Sequence, residues 1–323
     1  MKRVVLTGGT GFVGACLTRR LLADGHDVHL LVRESHDPWR ITDRLDDLER
    51  HRVDLGDADG VAAKVAAIGP DWVFHLAAHG AYPHQTSLRR MVDTNVLGTE
   101  SLLEAAARCD VDAFVAAGSS SEYGFRNDAS RESDRLEPNS PYAITKAAAT
   151  MLCRHAARTS PMRIRVLRLY SVYGPLEEPT RLVPRLLVSA LDGHWPPLAN
   201  PDTARDFVYV DDVVDAFVTA AVAAGGEPGA IFNVCSGVQT TLRGMVETCR
   251  EIFDVRAEPQ WASMAPRSWD TSSWVGDPSG AATVLPWRAR TTVRDGLRAF
   301  AGWLRDRPDR LERYRRADPR DAS

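Results

Sequence analysis

Short runs of consecutive apolar residues alternate, through the first half of the chain, with longer stretches whose apolar positions recur every three or four residues. This pattern predicts strands at 3–7, 27–33, 51–53, 72–76, 112–118 and 163–169, and helices at 12–23, 58–68, 91–109 and 142–158. Val4 to Leu6 and Ala113 to Ala117 are apolar without alternation, which fits strands buried on both faces. Such strands belong to parallel sheets covered by helices, so the fold class read from the pattern is α/β with a doubly wound sheet. Ligands of these sheets sit beyond the strand carboxyl ends.

Past residue 170 the rhythm weakens, interrupted by Pro175, Pro179, Pro184, Pro196, Pro197 and Pro201. A helix near 181–192 is followed by a strand and helix near 207–223 and a short strand at 230–234. These last read as a return to the sheet, ahead of a less regular segment from 237 onward. The terminal segment 306–323, rich in Arg, Asp and Pro, reads as a charged tail: a solvated helix end and a frayed terminus.

Composition narrows the function classes. With 323 residues, 44% apolar and 26% charged, the chain can bury one large core or two modest ones, and disordered or collagen-like classes drop out. A formal charge of −3 lacks the basic balance of a nucleic-acid binder, so an anionic ligand requires local arginines. The five cysteines are scattered without C-x-x-C pairing, which argues for a reducing compartment and against a zinc site or disulfide framework. Met1-Lys2-Arg3 runs straight into a strand, and no apolar stretch approaches the ~20 residues of a membrane span. The expectation is a cytoplasmic protein with neither a membrane nor a nucleic-acid partner, and no metal.

Candidate chemistry falls at the strand ends. Gly9-Thr10-Gly11-Phe12-Val13-Gly14 fits G-x-G-x-x-G, and Gly8, Gly11 and Gly14 also fit a G-x-x-G-x-x-G spacing. Directly after a strand and opening a helix, such a turn lets a dinucleotide pyrophosphate approach the helix N-terminus. The second strand ends Leu30-Leu31-Val32-Arg33, where an Arg accommodates a 2′-phosphate; NADP(H) is therefore preferred. The alternative keeps Glu34 on the ribose and Arg33 as a surface charge, which leaves NAD(H) open. Arg40 reads either as a second phosphate partner or as a solvated loop side chain. Tyr142-Ala-Ile-Thr-Lys146 places a Tyr and a Lys on one helix face, a proton donor for a carbonyl oxygen. In isolation the same spacing describes a half-buried Tyr beside a solvated Lys.

Taken in order, the glycine turn, His75-Leu76-Ala77-Ala78, Asn95-Val96-Leu97-Gly98-Thr99, Tyr142 and Lys146 resemble the motifs of the extended short-chain dehydrogenase/reductases. Within these, the chain is most similar to the nucleotide-sugar epimerase/dehydratase branch, over nearly its whole length to about Trp303. The resemblance implies a Rossmann-type sheet from 1–169 plus about 207–236. It also implies a smaller C-terminal substrate-binding lobe from about 170–206 plus 237–305. It places Gly8, Gly11, Phe12, Val13 and Gly14 on the pyrophosphate and Asp54 and Leu55 on the adenine. Ala77, Ala78, Asn95 and Tyr170 take the rest of the dinucleotide, although Ala77 and Ala78 also read as small strand-end residues and Asn95 as a helix cap. Ser119, Tyr142 and Lys146 form the chemical centre, with Lys146 lowering the Tyr pKa and holding the nicotinamide ribose. Ser119 is chosen from Ser119-Ser120-Ser121 because it lies four before Tyr123.

The implied substrate is a nucleotide-diphosphate sugar. Arg205, opening Arg205-Asp206-Phe207-Val208-Tyr209-Val210-Asp211-Asp212, and Arg267 of Arg267-Ser268-Trp269-Asp270 stand at diphosphate positions, with Arg181, Ser120 and Ser171 as further contacts. Alternatively Arg205 pairs with Asp206 or Asp211, and Arg181 is a solvated helix charge. Ser171 replaces a common family Asn, and Ala199-Asn200-Pro201-Asp202 replaces a glycine-rich turn, so the base is not specified. Ser120-Ser121 occupy the places of the acidic pair of 4,6-dehydratases, so dehydration is disfavoured unless Glu122 substitutes. Arg33 tilts the expectation toward a 4-ketoreductase of a keto-sugar; a 4-epimerase with retained cofactor is the alternative, ahead of a dehydratase or a non-catalytic NADP-binding sensor. The resemblance further implies a homodimer through helices 91–109 and 142–158, where Ala105 to Ala107 and Ala147 to Ala149 permit close approach.

Overall fold

The computed structural model describes residues 1–263 and 273–317. In chain order the strands are β1 (Arg3–Thr7), β2 (Asp27–Val32), β3 (Glu49–Arg52), β4 (Trp72–His75), β5 (Ala113–Ser119), β6 (Arg163–Leu169), β7 (Ser171–Tyr173), β8 (Ala204–Tyr209), β9 (Ile231–Val234) and β10 (Gln239–Thr241). The helices are α1 (Phe12–Ala23), α2 (Ala58–Ile68), α3 (Leu88–Met91), α4 (Gly98–Ala107), α5 (Pro141–Ala156), α6 (Leu182–Leu191), α7 (Val210–Val222), α8 (Leu242–Phe253), α9 (Ser279–Val284), α10 (Val293–Arg305) and α11 (Pro308–Arg316). The main sheet runs β3-β2-β1-β4-β5-β6-β9, with every neighbouring pair parallel. Strand order reverses between β1 and β4, which opens a crevice at their carboxyl ends.

The period of two along β1 sorts its side chains between two cores. Val4 and Leu6 pack with Leu17, Leu30, Phe74 and Phe217 on the side of α1 and α7. Val5 packs with Leu31, Val73, Phe114, Val61, Val65, Leu102 and Cys153 on the side of α2, α4 and α5. Full burial of each such side chain contributes about 1.5–3 kcal/mol. A third cluster, with Leu186, Leu187, Met245, Val246, Leu297 and Phe300, forms the smaller lobe around α6, α8 and α10.

Several elements depart from the sequence reading. The strand expected to return to the sheet near 207 is β8, which instead pairs with β7 and β10 in a separate three-stranded sheet. Only α7 and β9 return to the main sheet, α7 lying against α1, β5 and β6. The segment from 237 onward is more regular than its composition indicates. Apolar Leu242, Met245, Val246 and Cys249 line α8, and Leu297, Phe300, Ala301 and Leu304 line α10. The helix expected at 91–109 starts at Leu88, capped by the Ser87 side chain, and contains a π-helical segment at Val92–Leu97 between α3 and α4. The expected tail contains α11, docked by the buried Tyr314, whose hydroxyl donates to Glu177 O at 2.7 Å. Among the described residues no helix is long and apolar enough to cross a membrane.

Candidate active site

The turn after β1 is shaped by what its glycines lack. Gly8 has φ +73°, and a Cβ there would lie 2.6 Å from Ala77 N; one at Gly14 would overlap the Gly8 carbonyl oxygen. Gly11 N–H donates to Gly8 O at 2.9 Å, and Gly11 then caps α1 with no side-chain bond to its first-turn amides. No acidic side chain enters that first turn. A helix N-terminus without a side-chain cap or an acidic first turn, reached by a turn that only glycines can close, fits a dinucleotide pyrophosphate. Phe12 and Val13 pack half-buried on the main core.

The loop after β4 is held from both sides. Ala77 N–H donates to Thr7 Oγ1 at 3.2 Å, while Ala78 is exposed. Asn95 lies inside the π-helical segment, so it caps no helix. Its Oδ1 accepts from His79 N at 2.8 Å, and its Nδ2 donates to His79 O and Thr145 Oγ1, both at 2.9 Å. The π turn aims this amide inward, a common use of such segments. His75 bridges Thr7 Oγ1 (2.7 Å) and Thr99 Oγ1 (2.9 Å); burial, reinforced by the Lys146 charge, pushes its pKa down to about 3, so the imidazole is neutral.

At the positions expected to meet the adenosine, β2 stops at Val32 and leaves Arg33 exposed in the turn. Glu34 pairs with Arg52 at 2.8 Å. Asp54 accepts from Gly56 N at 2.9 Å, and Leu55 is buried beside Val5 and Val61. Arg40 matches neither of its readings. It is buried, donating from Nε to Leu176 O and from an Nη to Glu178 Oε2, each at 2.8 Å, and it stacks on Trp39. Its guanidinium braces the segment after β7, since a buried Arg requires partners.

The expected chemical centre is built around α5. Pro141 occupies its first turn and Ser140 caps Ala143 N, which places Tyr142 at the helix start and Lys146 one turn on, on the same face. Lys146 is buried and donates to Ala117 O at 2.6 Å, near the end of β5. Burial lowers its pKa. Ser119 ends β5, its Oγ 2.8 Å from Ser121 Oγ. The Tyr142 phenol is pushed up to about 12 by burial, with Ser119 and Arg181 acting in the other direction. The lowering expected from Lys146 does not set this balance: desolvation of the phenolate outweighs Ser119 and Arg181, and Glu122 and Tyr82 add to the rise.

Glu122, the one acidic residue of this turn, is fully engaged. Its side chain is 0% exposed and forms a buried ion pair with Arg168 at 2.9 Å. It also accepts from Thr150 Oγ1 at 2.9 Å and Ser119 N at 2.8 Å. Ser120, also buried, accepts from Trp274 Nε1 at 3.1 Å.

Among the residues expected to meet the substrate, Arg205 is the second residue of β8, bonded to Ala204 O at 2.7 Å, with its guanidinium 5.3 Å from the Trp274 ring centre. Asp206 is spent elsewhere: it accepts from Ser236 N and Oγ, Gly237 N and Gly276 N. Asp212 likewise accepts from Arg290 N and Thr291 N, so both carboxylates tie loops together. Tyr170 is buried at a point where a Cβ on Gly276 would lie 2.6 Å from its ring. Ser171 is half-exposed in β7. Arg181 is exposed ahead of α6, and shares a cleft with Phe12, Tyr82, Val172, Glu177 and Glu178. A second cleft is lined by Ser120, Arg126, Tyr170 and Trp274. Arg267 lies outside the described residues. Sequence reasoning missed Tyr82, Glu177 and Trp274; no motif or spacing marks the first two, and Trp274 is distinguished only by following the R-x-x-D run.

Residues 4–235 match the model of the NAD dependent epimerase/dehydratase family. The chain is 32% identical to UDP-glucose 4-epimerase of Mycolicibacterium smegmatis, over 94% of this chain and 99% of that protein. It is 29% identical to dTDP-glucose 4,6-dehydratase of Streptomyces griseus, over 93% of each. Among solved structures, MoeE5 in complex with UDP-glucuronic acid and NAD superimposes with a TM-score of 0.81 at 31% identity, covering 94% of this chain and 99% of that one. The chain belongs to the NAD-dependent epimerase/dehydratase family and is a short-chain dehydrogenase/reductase-type enzyme.

Proposed function

We propose that the enzyme reduces a ketone, at C4 of a nucleotide-diphosphate keto-sugar, to the alcohol. The observation that carries this reading is the sealing of Glu122 in its pair with Arg168, with serines at the two preceding positions. No carboxylate of this turn is left to remove a C5 proton, so the turn supports carbonyl chemistry without dehydration. A nicotinamide cofactor, when bound, supplies the hydride. Ser119 hydrogen-bonds the ketone oxygen, and Tyr142 gives that oxygen its proton. The burial that pushes Tyr142 up to about 12 keeps it in the acid form that reduction uses. In this reading Lys146 orients the ribose, and Arg181 and Arg205, with Arg267 by the resemblance alone, neutralise the diphosphate. Ser120 and Ser171 take further substrate contacts.

NADP(H) is preferred because Glu34 is drawn to Arg52, leaving Arg33 as the exposed cation at the end of β2. A second reading, 4-epimerisation with retained NAD, is favoured by the full-length likeness to the M. smegmatis epimerase. A homodimer through α5 and the α3–α4 region fits the apolar Ile144 (54% exposed) and Met151 (59%), seven apart on α5, with Leu97 (42%) opposite them in the implied interface.

Mass spectrometry of the nucleotide released by the denatured protein tests the choice, together with titration of the stripped protein. The reductase reading expects an empty site that prefers NADPH, with the preference falling about tenfold in Arg33→Ala, roughly one charge-assisted contact. Tightly retained NAD, with Arg33→Ala neutral, defeats it in favour of the epimerase.

A further inference from the structure

The cleft between the glycine turn and α6 contains a polar group with no work in the scheme above. Glu177 has a side chain only 7% exposed, and its Oε2 has no hydrogen-bond partner. Its Oε1 stands 4.0 Å from Arg181 Nε, and both residues line the cleft with Phe12, Tyr82 and Val172. Apart from this approach to Arg181, no partner of the Glu177 carboxyl is seen among the described residues. The surrounding segment is fixed by other groups: Arg40 to Leu176 O and Glu178, Tyr314 to Glu177 O, and Glu177 N–H to Gly174 O. Leu176, immediately before it, is held at φ +71°. Strain of this kind in a bulky residue persists where the surroundings over-determine it, and it clusters at ligand sites.

We propose that Glu177 and Arg181 form a subsite for a hydroxyl beside a phosphate: the unpaired Glu177 oxygen takes a ligand hydroxyl, and Arg181 takes an adjoining phosphate oxygen. This rests on the nucleotide-sugar reading. Two ligands bear such a hydroxyl, the hexose of the sugar nucleotide and a ribose of the dinucleotide. Burial pushes Glu177 up to about 8, with Arg181, the Gly174 N–H and Arg40 acting in the other direction and Glu178 adding to the rise. At neutral pH the carboxyl keeps its proton and leaves the Arg181 charge to the ligand. Once ionised, it competes with phosphate for Arg181. The other groups facing it do not titrate there: Tyr82, Tyr173 and Tyr314 are all raised above 10 by burial, and the arginines stay charged.

Calorimetric titration of the full chain with NADPH, NAD, UDP-glucose and dTDP-glucose at pH 7 and pH 9 provides the test, on wild type, Glu177→Gln and Glu177→Leu. Wild type is expected to lose about tenfold in affinity for the responding ligand between the two pH values, and Glu177→Gln to lose none. Glu177→Leu is expected to bind that ligand about tenfold more weakly at both. The ligand that responds identifies the source of the hydroxyl. Glu177→Leu should melt no lower than wild type, because it removes a buried unpaired oxygen. Affinities within twofold of wild type for all four ligands overturn the subsite, as does a lower melt with equal loss of every ligand. If wild type binds none of UDP-glucose, dTDP-glucose, GDP-mannose and CDP-glucose, the nucleotide-sugar reading falls, and the NADPH and NAD titrations still decide on the subsite.

Discussion

Glu122→Gln separates a brace from an acid. The carboxylate takes Arg168 Nε, Thr150 Oγ1 and Ser119 N, and the two members of the ion pair are 0% and 1% exposed. The amide leaves Arg168 charged, buried and without its counter-ion, and turns an N–H donor toward other donors. Breaking one side of a buried pair costs about 3–5 kcal/mol. At roughly 2 °C per kcal/mol for a chain of this size, the melting midpoint should fall by about 6–10 °C. Turnover measured well below that midpoint should stay within about tenfold of wild type, since the side chain reaches no reacting atom. Replacing both partners, as in Glu122→Leu with Arg168→Met, should restore most of the loss, because no unpaired charge remains. Thermal melts and initial rates on the same preparations check both halves. A midpoint within about 2 °C of wild type, with turnover down by the ~10²–10⁴ typical of a lost general acid, would refute the brace and revive dehydration chemistry.

Gly14→Ala forces a Cβ onto the Gly8 carbonyl, so it should destabilise the turn by about 1–3 kcal/mol and weaken dinucleotide binding at least as much, read by calorimetry. Met151→Lys, at an exposed apolar position of α5, should convert a two-chain mass in light scattering to a one-chain mass with an unchanged melt. A wild-type mass of one chain at micromolar concentration removes the dimer.

The main sheet was legible because its strands are continuously apolar and its helices amphipathic, patterns that survive without knowledge of partners. The shape of the glycine turn and the shared helix face of Tyr142 and Lys146 were legible for a similar reason, since both are local in sequence. Pairing is not local: Phe207 to Tyr209 reads as a strand in any sheet, and only its register with Ser171 to Tyr173 assigns it to the smaller one. Tyr314 is a single aromatic in a charged segment, and its docking depends on the distant Glu177 carbonyl. Arg40 reads as solvated because burial of a guanidinium depends on acceptors more than 130 residues away. The direction of the Tyr142 pKa was hidden for a related reason, since desolvation, its largest cause, is a property of the assembled crevice. The helices α8 and α10 were within reach, their apolar spacing being plain once Leu242 and Leu297 are taken as starting points.

The most direct test of the central claim is the oxidation of NADPH, followed at 340 nm, by enzyme supplied with 4-keto-6-deoxy-hexose nucleotides of the UDP, dTDP, GDP and CDP series. The account predicts that one of these is reduced to the alcohol with one NADPH consumed per product, and that Tyr142→Phe loses about 10²–10⁴ in rate while keeping its dinucleotide affinity. No NADPH consumption with any of the four, alongside interconversion of UDP-glucose and UDP-galactose by protein carrying its own NAD, would contradict it.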